Sequence, residues 1–104
     1  MNIRDIKSDS ARAAAFLKAV ANANRLMILC ELKDGERSVS ALESVVPLTQ
    51  SALSQHLAKL RAESLVSTRR EAQTIYYRLA DTRIAQLIDT LDELFCSTRK
   101  TSRR

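Results

Sequence analysis

The stretch TQSALSQHLAKLR at residues 49–61 constrains the fold of this chain more than any other part of the sequence. Because a helix advances about 100° per residue, Leu53, Leu57 and Leu60 fall within about 60° of one another and form an apolar stripe. Thr49 precedes the stripe and can cap a helix, since its hydroxyl can accept a hydrogen bond from a backbone N–H of the first turn. The stretch therefore predicts an amphipathic helix that packs its leucine side on a core.

The opposite face of this predicted helix carries side chains that suit a DNA groove. Its members are Gln50, Ser51, Ser54, Gln55, Lys59 and, at the boundary with the leucines, His56. Serine and glutamine both donate and accept hydrogen bonds, which lets them read base edges in the major groove. We interpret His56 as a hydrogen-bonding residue rather than a pH switch. The alternative is an ordinary solvated helix face, because polar outer faces are common on surface helices.

Residues 65–79 follow directly and predict a basic β-hairpin. Apolar and polar side chains alternate along residues 75–79, which is the period-two pattern of a strand. The predicted strands cover residues 65–70 and 74–79, and they meet at Glu71-Ala72-Gln73 without the glycine that tight hairpin turns favour.

Three polar residues near the tip of this hairpin are candidate phosphate contacts. They are Arg69, Arg70 and Gln73. Cationic and amide side chains of this kind bind the DNA backbone without reading its sequence. A solvated hairpin tip is the alternative interpretation.

The helices outside this region follow from apolar periodicity and from capping residues. They are predicted at residues 11–21 after a Ser10 cap, at 25–33 after an Asn24 cap, and at 81–97. The helix at 25–33 is apolar almost all round, so we expect it in the centre of the fold. Gly35 ends it, because glycine tolerates the left-handed conformation.

A short third helix is predicted at residues 39–46, where Pro47 ends it. Ser38 is one candidate cap, and Ser40 with Glu43 fits a capping box equally well. Only a tight turn separates this helix from the one that starts after Thr49, so the two form a helix-turn-helix.

The predicted order is therefore α-α-α-α-β-β-α, a mainly α chain with one β-hairpin. With 104 residues the chain is one small domain, a winged helix-turn-helix over residues 1–104. We expect flexible tails at about residues 1–9 and 98–104.

The charge balance favours a polyanionic partner. Seventeen Lys and Arg against 12 Asp and Glu give a net charge of +5, which suits nucleic acid first and an anionic membrane surface second. The first residues lack the apolar region of a signal peptide, and no apolar run is long enough to span a membrane, so we expect a cytoplasmic protein without membrane contact. In that compartment two cysteines are not expected to form a static structural disulfide.

Three segments resemble the ArsR/SmtB family of winged-helix repressors. They are NRLMILC at residues 24–30, SALSQHL at 51–57 and IYYRL at 75–79, and the resemblance covers about residues 13–97. It implies a homodimer joined through the first and last helices, with the fourth helix in the major groove and the hairpin as a wing on the flanking backbone or minor groove. Two-fold symmetry implies an imperfect palindromic operator in double-stranded DNA.

Within this family the chain is most similar to the dithiol sensors of persulfides and oxidants, the SqrR/BigR/HlyU group. That group carries one cysteine on the second helix and one near the end of the last helix, where this chain has Cys30 and Cys96. The resemblance implies a repressor whose operator binding is switched by reversible oxidation or persulfide bridging of the two thiols. The alternative is an activator or antirepressor of the same fold, in which the cysteines are small hydrophobic side chains without a sensing role.

No metal or other cofactor is expected. The family's metal sensors use cysteines around the third helix or a His/Asp/Glu cluster on the last helix, but residues 38–46 contain no Cys and residues 81–97 contain no His. Two cysteines alone make a poor zinc site. An enzyme is the least favoured class, because the sequence has neither a Gly-rich phosphate loop nor a Ser/His/Asp set.

Overall fold

The computed structural model describes the backbone of residues 6–102 and the side chains of residues 6–95. In chain order its elements are α1 (Ile6–Val20), α2 (Ala23–Leu32), β1 (Arg37–Ser38), α3 (Val39–Val45), α4 (Gln50–Ala62), β2 (Val66–Glu71), β3 (Thr74–Leu79) and α5 (Thr82–Ser102). The predicted winged helix-turn-helix is confirmed, with one strand added to the predicted order. The predicted tails include residues 1–5 and 103–104, which lie outside the described part of the chain.

The added strand, β1, completes a three-stranded antiparallel sheet in the order β1-β3-β2. Arg37 pairs with Tyr77 and Ser38 with Tyr76, so β1 lies along the edge of β3 that β2 leaves open. The sequence analysis missed β1 because two residues are too few to show a period. The two residues of β1 pair with β3, about 40 residues further along the chain, and local sequence patterns do not reveal pairing over such a distance.

The core is formed by aliphatic side chains from every helix and from the start of β2. Its buried members are Ala19, Val20, Ile28, Leu29, Leu32, Leu42, Val46, Leu53, Leu57, Leu60, Leu65, Val66, Ile84 and Ile88. Ile28 and Leu29 of α2 have no exposed surface, which confirms the predicted central position of this helix. Burial of this aliphatic set is the main favourable term in folding.

Two predicted helix caps are wrong, and both helices begin earlier than predicted. Asn22, not Asn24, caps α2: its Oδ1 accepts from the N–H groups of Asn24 and Arg25, both at 3.0 Å. A cap needs extended backbone, and Asn22 has it (φ −157°, ψ 127°), whereas Asn24 already lies in the first helical turn. Ser10 lies inside α1, which begins at Ile6, because no proline or glycine precedes Ser10 to interrupt the helix.

The choice between two caps for α3 is settled in favour of Ser38. Its Oγ accepts from the backbone N–H of Ala41 at 3.1 Å, and its backbone is extended. The helix ends one residue before Val46, and Pro47 lies in the turn that leads to α4. The predicted helix-turn-helix is therefore formed by α3 and α4.

The end of α4 sets the direction in which the chain enters the sheet. The N–H of Leu65 donates to the carbonyl of Leu60 at 2.9 Å, and the N–H of Ser64 donates to the carbonyl of Arg61 at 3.0 Å. This pair of bonds is a Schellman motif, which requires a left-handed residue just after the helix. Ser64 occupies that position with φ 61°, a conformation that glycine adopts at lower cost.

Candidate nucleic-acid interface

Helix α4 is held from beneath by the leucine stripe that the sequence predicted. Leu53, Leu57 and Leu60 are at most 2% exposed. Thr49 caps the helix as predicted, because its Oγ1 accepts from the backbone N–H of Ala52 at 3.1 Å. Apolar burial on one side and a cap at the start therefore fix both the position and the beginning of this helix.

The outer face of α4 is open to solvent. The exposed members of the predicted set are Gln50, Ser51, Ser54, Gln55 and Lys59, and His56 is half-buried. Within residues 6–95, no side-chain hydrogen bond or ion pair engages the glutamines or serines of this face. Lys59 forms an ion pair with Glu63 at 3.6 Å, one turn further along the helix. The hydrogen-bonding groups of this face are thus available to an external ligand.

The strands β2 and β3 and their turn, which we call the wing, have two different faces. Arg69 lies opposite Tyr76 in the register, whereas Arg70 lies opposite Ile75. Because successive side chains of a strand point to opposite faces, the two neighbouring arginines are on different sides of the sheet. At the tip, Ala72 has a left-handed backbone (φ 57°), and Gln73 is exposed beside it.

The guanidinium of Arg69 is held by two carboxylates and an aromatic ring. Its Nε lies 2.9 Å and 3.0 Å from the two carboxylate oxygens of Glu36, and its Nη1 lies 2.7 Å from Glu71 Oε2. It stacks over Tyr76, with 4.4 Å between the guanidinium carbon and the ring centroid. The hydrogen bonds from Arg69 hold the pKa of Glu36 below its ordinary value, and the carboxylates raise the pKa of Arg69.

The side of the wing that carries Arg70 faces a groove beside α4. Ser54, Ala58 and Arg61 line this groove from the helix, and Ile75 lines it from β3. A smaller recess beside it is lined by Arg61, Arg69 and Arg70. In contrast to Arg69, Arg70 forms no ion pair with any residue in the described part of the chain. Of the three exposed arginines in this recess, Arg61 and Arg70 therefore have no ion pair among the described residues.

Arg61 and Glu36 were missed by the sequence analysis. Arg61 follows Ser54 by seven residues, which places it about 20° from Ser54 on the helix wheel and on the same outer stripe. Continuing the wheel by one more turn would have found it. Glu36 had no such signal, because its contact with Arg69 spans 33 residues and depends on the pairing of β1 with β3.

The two cysteines lie on different helices. Cys30 is exposed on α2, although the apolar sequence around it is typical of a buried helix. Lys33, three residues after Cys30, forms an ion pair with Asp89 of α5 at 3.0 Å, and that contact raises the pKa of Lys33. Cys96 falls within α5, but its side chain lies outside the described residues.

The described residues show neither a metal-ligand cluster nor a single membrane-spanning helix. Among the side chains at residues 6–95, no three His, Cys, Asp or Glu residues are arranged to hold a metal ion. No single helix between residues 6 and 102 is long and apolar enough to cross a membrane; α1 and α2 meet that test of length and composition only as a pair bent by 91°.

Sequence comparison identifies a family and several close relatives. Residues 22–68 match the model described as bacterial regulatory protein, arsR family. The chain is 49% identical to the transcriptional activator HlyU of Vibrio cholerae over 100 residues, which cover 96% of this chain and 93% of that protein. It is 46% identical to the biofilm growth-associated repressor of Agrobacterium fabrum over 84 residues, which cover 81% of this chain and 72% of the relative.

Solved structures give the same result. Reduced HlyU from Vibrio cholerae superposes with a TM-score of 0.84 and 50% identity over 90% of this chain and 99% of that one. A homodimeric winged helix-turn-helix DNA-binding domain from Mycobacterium bovis superposes with a TM-score of 0.75 and 32% identity, covering 90% of this chain and 86% of the other.

Proposed function

Because this chain belongs to the ArsR family of bacterial regulatory proteins, we propose that it represses transcription by binding a palindromic operator as a homodimer. The observation that carries this proposal is the outer face of α4. Ser51 and Gln55 are exposed there with no partner among the described residues, on a helix whose opposite side is fully buried. A helix fixed in this way can enter the major groove with its polar groups available to base edges.

The remaining candidate residues have roles set by their place around this helix. Gln50, Ser51, Ser54 and Gln55 face the bases, and the phosphates are contacted by His56, Lys59, Arg61, Arg70 and Gln73. Contacts to phosphate position a protein on DNA, and contacts to base edges select the sequence. Arg69 was predicted as a phosphate contact, but its two carboxylate partners lead us to a different role, considered below.

Exposed apolar side chains on α1 and α5 support the homodimer. Leu17 of α1 is 53% exposed, and Leu94 and Phe95 of α5 are 67% and 81% exposed. Large apolar side chains clustered on the surface of a single chain mark an interaction site. A second copy of the chain, joined through these two helices, would cover them and hold two α4 helices about one DNA turn apart.

The direction of regulation has two candidate forms, because the relatives include an activator and a repressor. We propose a repressor that responds to thiol chemistry at Cys30 and Cys96. The alternative is an activator or antirepressor without that response. The exposure of Cys30 and the packing of α2 against α5 through Lys33 and Asp89 support the thiol response.

The proposed switch is a reversible disulfide between these thiols. With hydrogen peroxide, one thiol becomes a sulfenic acid and releases water; the second thiol then displaces a second water and forms the S–S bond. With an organic persulfide, one thiolate accepts the outer sulfur and releases the organic thiolate; the second thiolate then attacks and expels hydrosulfide. Either bridge ties α2 to α5, the helix we place in the dimer interface, and so changes the spacing of the two α4 helices.

Sequence-specific binding is tested with an operator selected by the protein from random duplex DNA. Replacing Ser51 and Gln55 by alanine should weaken binding to the selected duplex at least tenfold and leave binding to random duplex almost unchanged, since each bidentate base contact contributes about 1–3 kcal/mol of discrimination. The matched variants Lys59→Gln and Arg70→Gln should weaken binding to the selected and the random duplex alike and should make binding less dependent on salt concentration. Equal binding of the wild type to selected and random DNA would exclude the proposal.

The switch is tested by a mobility-shift assay on the same duplex with reduced protein and with protein treated with peroxide or glutathione persulfide. Treatment should weaken binding by about tens- to a hundredfold, the range of a typical allosteric coupling. Cys30→Ser and Cys96→Ser should bind like the reduced protein and lose the response. Equal affinity in both states would favour the alternative, and intact mass would separate a plain disulfide from a bridge with extra sulfur.

A further inference from the structure

Glu36, Arg69 and Glu71 form a cluster, here called the wing clamp, that connects two parts of the sheet. Glu36 lies just before β1, at one edge of the sheet, and Arg69 lies on β2, at the other edge. The Glu36 carboxylate accepts hydrogen bonds from both Nε and Nη2 of Arg69. This two-pronged geometry is the most specific way in which an arginine binds a carboxylate. This contact spans the middle strand, β3, and passes over the ring of Tyr76.

The electrostatics of the wing clamp oppose a direct role in binding DNA phosphate. One guanidinium lies between two carboxylates, so these three residues have a net charge of −1; Arg78 also acts on Glu36, but only as a nearby charge and without a hydrogen bond to it. If Arg69 turned to a phosphate, it would leave Glu36 and Glu71 near the DNA backbone without their cation. Arg70 has no carboxylate partner among the described residues and extends from the opposite face of β2, although Arg69 and Arg70 both reach the recess that Arg61 lines.

We propose that Arg69 is a positioning residue that holds the wing at the angle needed for DNA binding, and that Arg70 makes the wing's phosphate contact. This inference rests on the proposed DNA-binding function. Glu36 is the second half of the device, although it is acidic and lies outside the wing. In the wing clamp, Arg69 therefore fixes the geometry of the wing and does not attract DNA.

The variant Glu36→Gln gives opposite results under the two possible roles of Arg69. If Arg69 contacts phosphate, removal of the competing carboxylate should strengthen DNA binding. If Arg69 holds the wing, the same change should weaken binding to the selected duplex, by about five- to tenfold in our proposal, although the protein becomes more positive. The sign of this effect is the first readout.

Salt dependence is the second readout, because each phosphate contact contributes about 0.9 to the slope of log K against log salt. We expect Arg70→Gln to reduce that slope by about this amount. Arg69→Gln should weaken binding as much as Glu36→Gln does, with the slope unchanged, and the double variant should be no weaker than either single variant. Arg69→Lys keeps the charge but loses the fork, so it should also weaken binding.

The third readout needs no DNA. In amide hydrogen exchange on the unbound dimer, Arg69→Gln and Glu36→Gln should increase exchange along β2 and β3, and Arg70→Gln should not. The clamp is refuted by unchanged exchange in the first two variants, by stronger DNA binding of Glu36→Gln, or by a smaller salt slope for Arg69→Gln. If the wild type preferred no DNA sequence, the proposed function would be refuted instead. The exchange experiment would still test the clamp, because it does not involve DNA.

Discussion

Helix α4 and the wing present polar side chains to the same groove, but they are held in opposite ways. The helix is anchored by buried leucines, and the serines and glutamines of its outer face have no partners in the described part of the chain. Fewer side chains of the wing are buried: in β2 only Val66 is. Arg69 of the wing forms ion pairs with Glu36 and Glu71. If Arg69 holds the wing as we propose, a basic residue near the groove is not necessarily a DNA contact.

The difference has a practical consequence for mutagenesis. On α4, changes to outer side chains should alter DNA binding and leave the fold intact, because those side chains support nothing inside the chain. On the wing, a change at Arg69 should alter geometry, and a change at Arg70 should alter phosphate binding. The interactions that hold the two regions in place can be tested by single substitutions, which differ in the size of their expected effects.

Leu57→Ala removes the central anchor of α4 and should lower the free energy of unfolding by about 2–5 kcal/mol. Leu57 is only 2% exposed, so the substitution leaves a cavity between α4 and the core. Chemical denaturation at fixed protein concentration measures the loss. The control Leu57→Met conserves volume and should cost less than about 1.5 kcal/mol; equal losses for both variants would contradict anchoring by packing.

Thr49→Ala removes the cap of α4 and should cost about 1 kcal/mol, because the N–H of Ala52 loses its acceptor. Ser51→Ala, two residues away on the outer face, is the matched control and should change stability by less than about 0.5 kcal/mol. Thermal unfolding of both variants measures the difference. If Ser51→Ala were the more destabilising variant, the outer face of α4 would contribute to stability, contrary to our expectation.

Ser64→Gly changes the junction between α4 and the wing and should stabilise the protein by up to about 1 kcal/mol. The left-handed backbone of Ser64 (φ 61°) is strained for a residue with a Cβ, and relief of that strain is partly offset by the greater chain entropy of glycine in the unfolded state. Ser64→Val should destabilise, since branched residues fit this conformation worst. Thermal unfolding of both variants should give shifts of opposite sign; a lower Tm for Ser64→Gly would contradict the expected relief of strain.

Acidification should release the wing clamp with the smallest effect on overall stability. The pKa of Glu36 is lowered in the folded chain, so the ion pair contributes above the ordinary glutamate pKa and is lost as the pH falls through the lowered value. The Nε–H resonance of Arg69 should therefore stay constant above the ordinary glutamate pKa and change only as the pH falls below it, because Arg69 and, more weakly, Arg78 lower the pKa of Glu36. Glu36→Gln should show no such transition, and a midpoint above the ordinary glutamate pKa would argue against the pair.

Sequence reasoning succeeded best where the controlling interactions are local. The leucine stripe and the Thr49 cap lie within one helix, so spacing alone predicts them. It failed over two residues at the start of α2, where Asn22 and Asn24 are both suitable caps by composition. In the structure Asn22 has the extended backbone that a cap needs and Asn24 lies in the first helical turn, a difference that composition does not encode.

The sequence by itself determined the helices, the hairpin, the buried and exposed faces of α4 and the basic residues of the wing, because each depends on residues close together in the chain. Only the tertiary structure decided that β1 joins the sheet, that Glu36 meets Arg69 across 33 residues, and that two adjacent arginines have different surroundings. The reason is physical: the charge of a side chain is a property of its residue type, but whether that charge is available to DNA depends on which distant groups the folded chain brings within hydrogen-bonding distance.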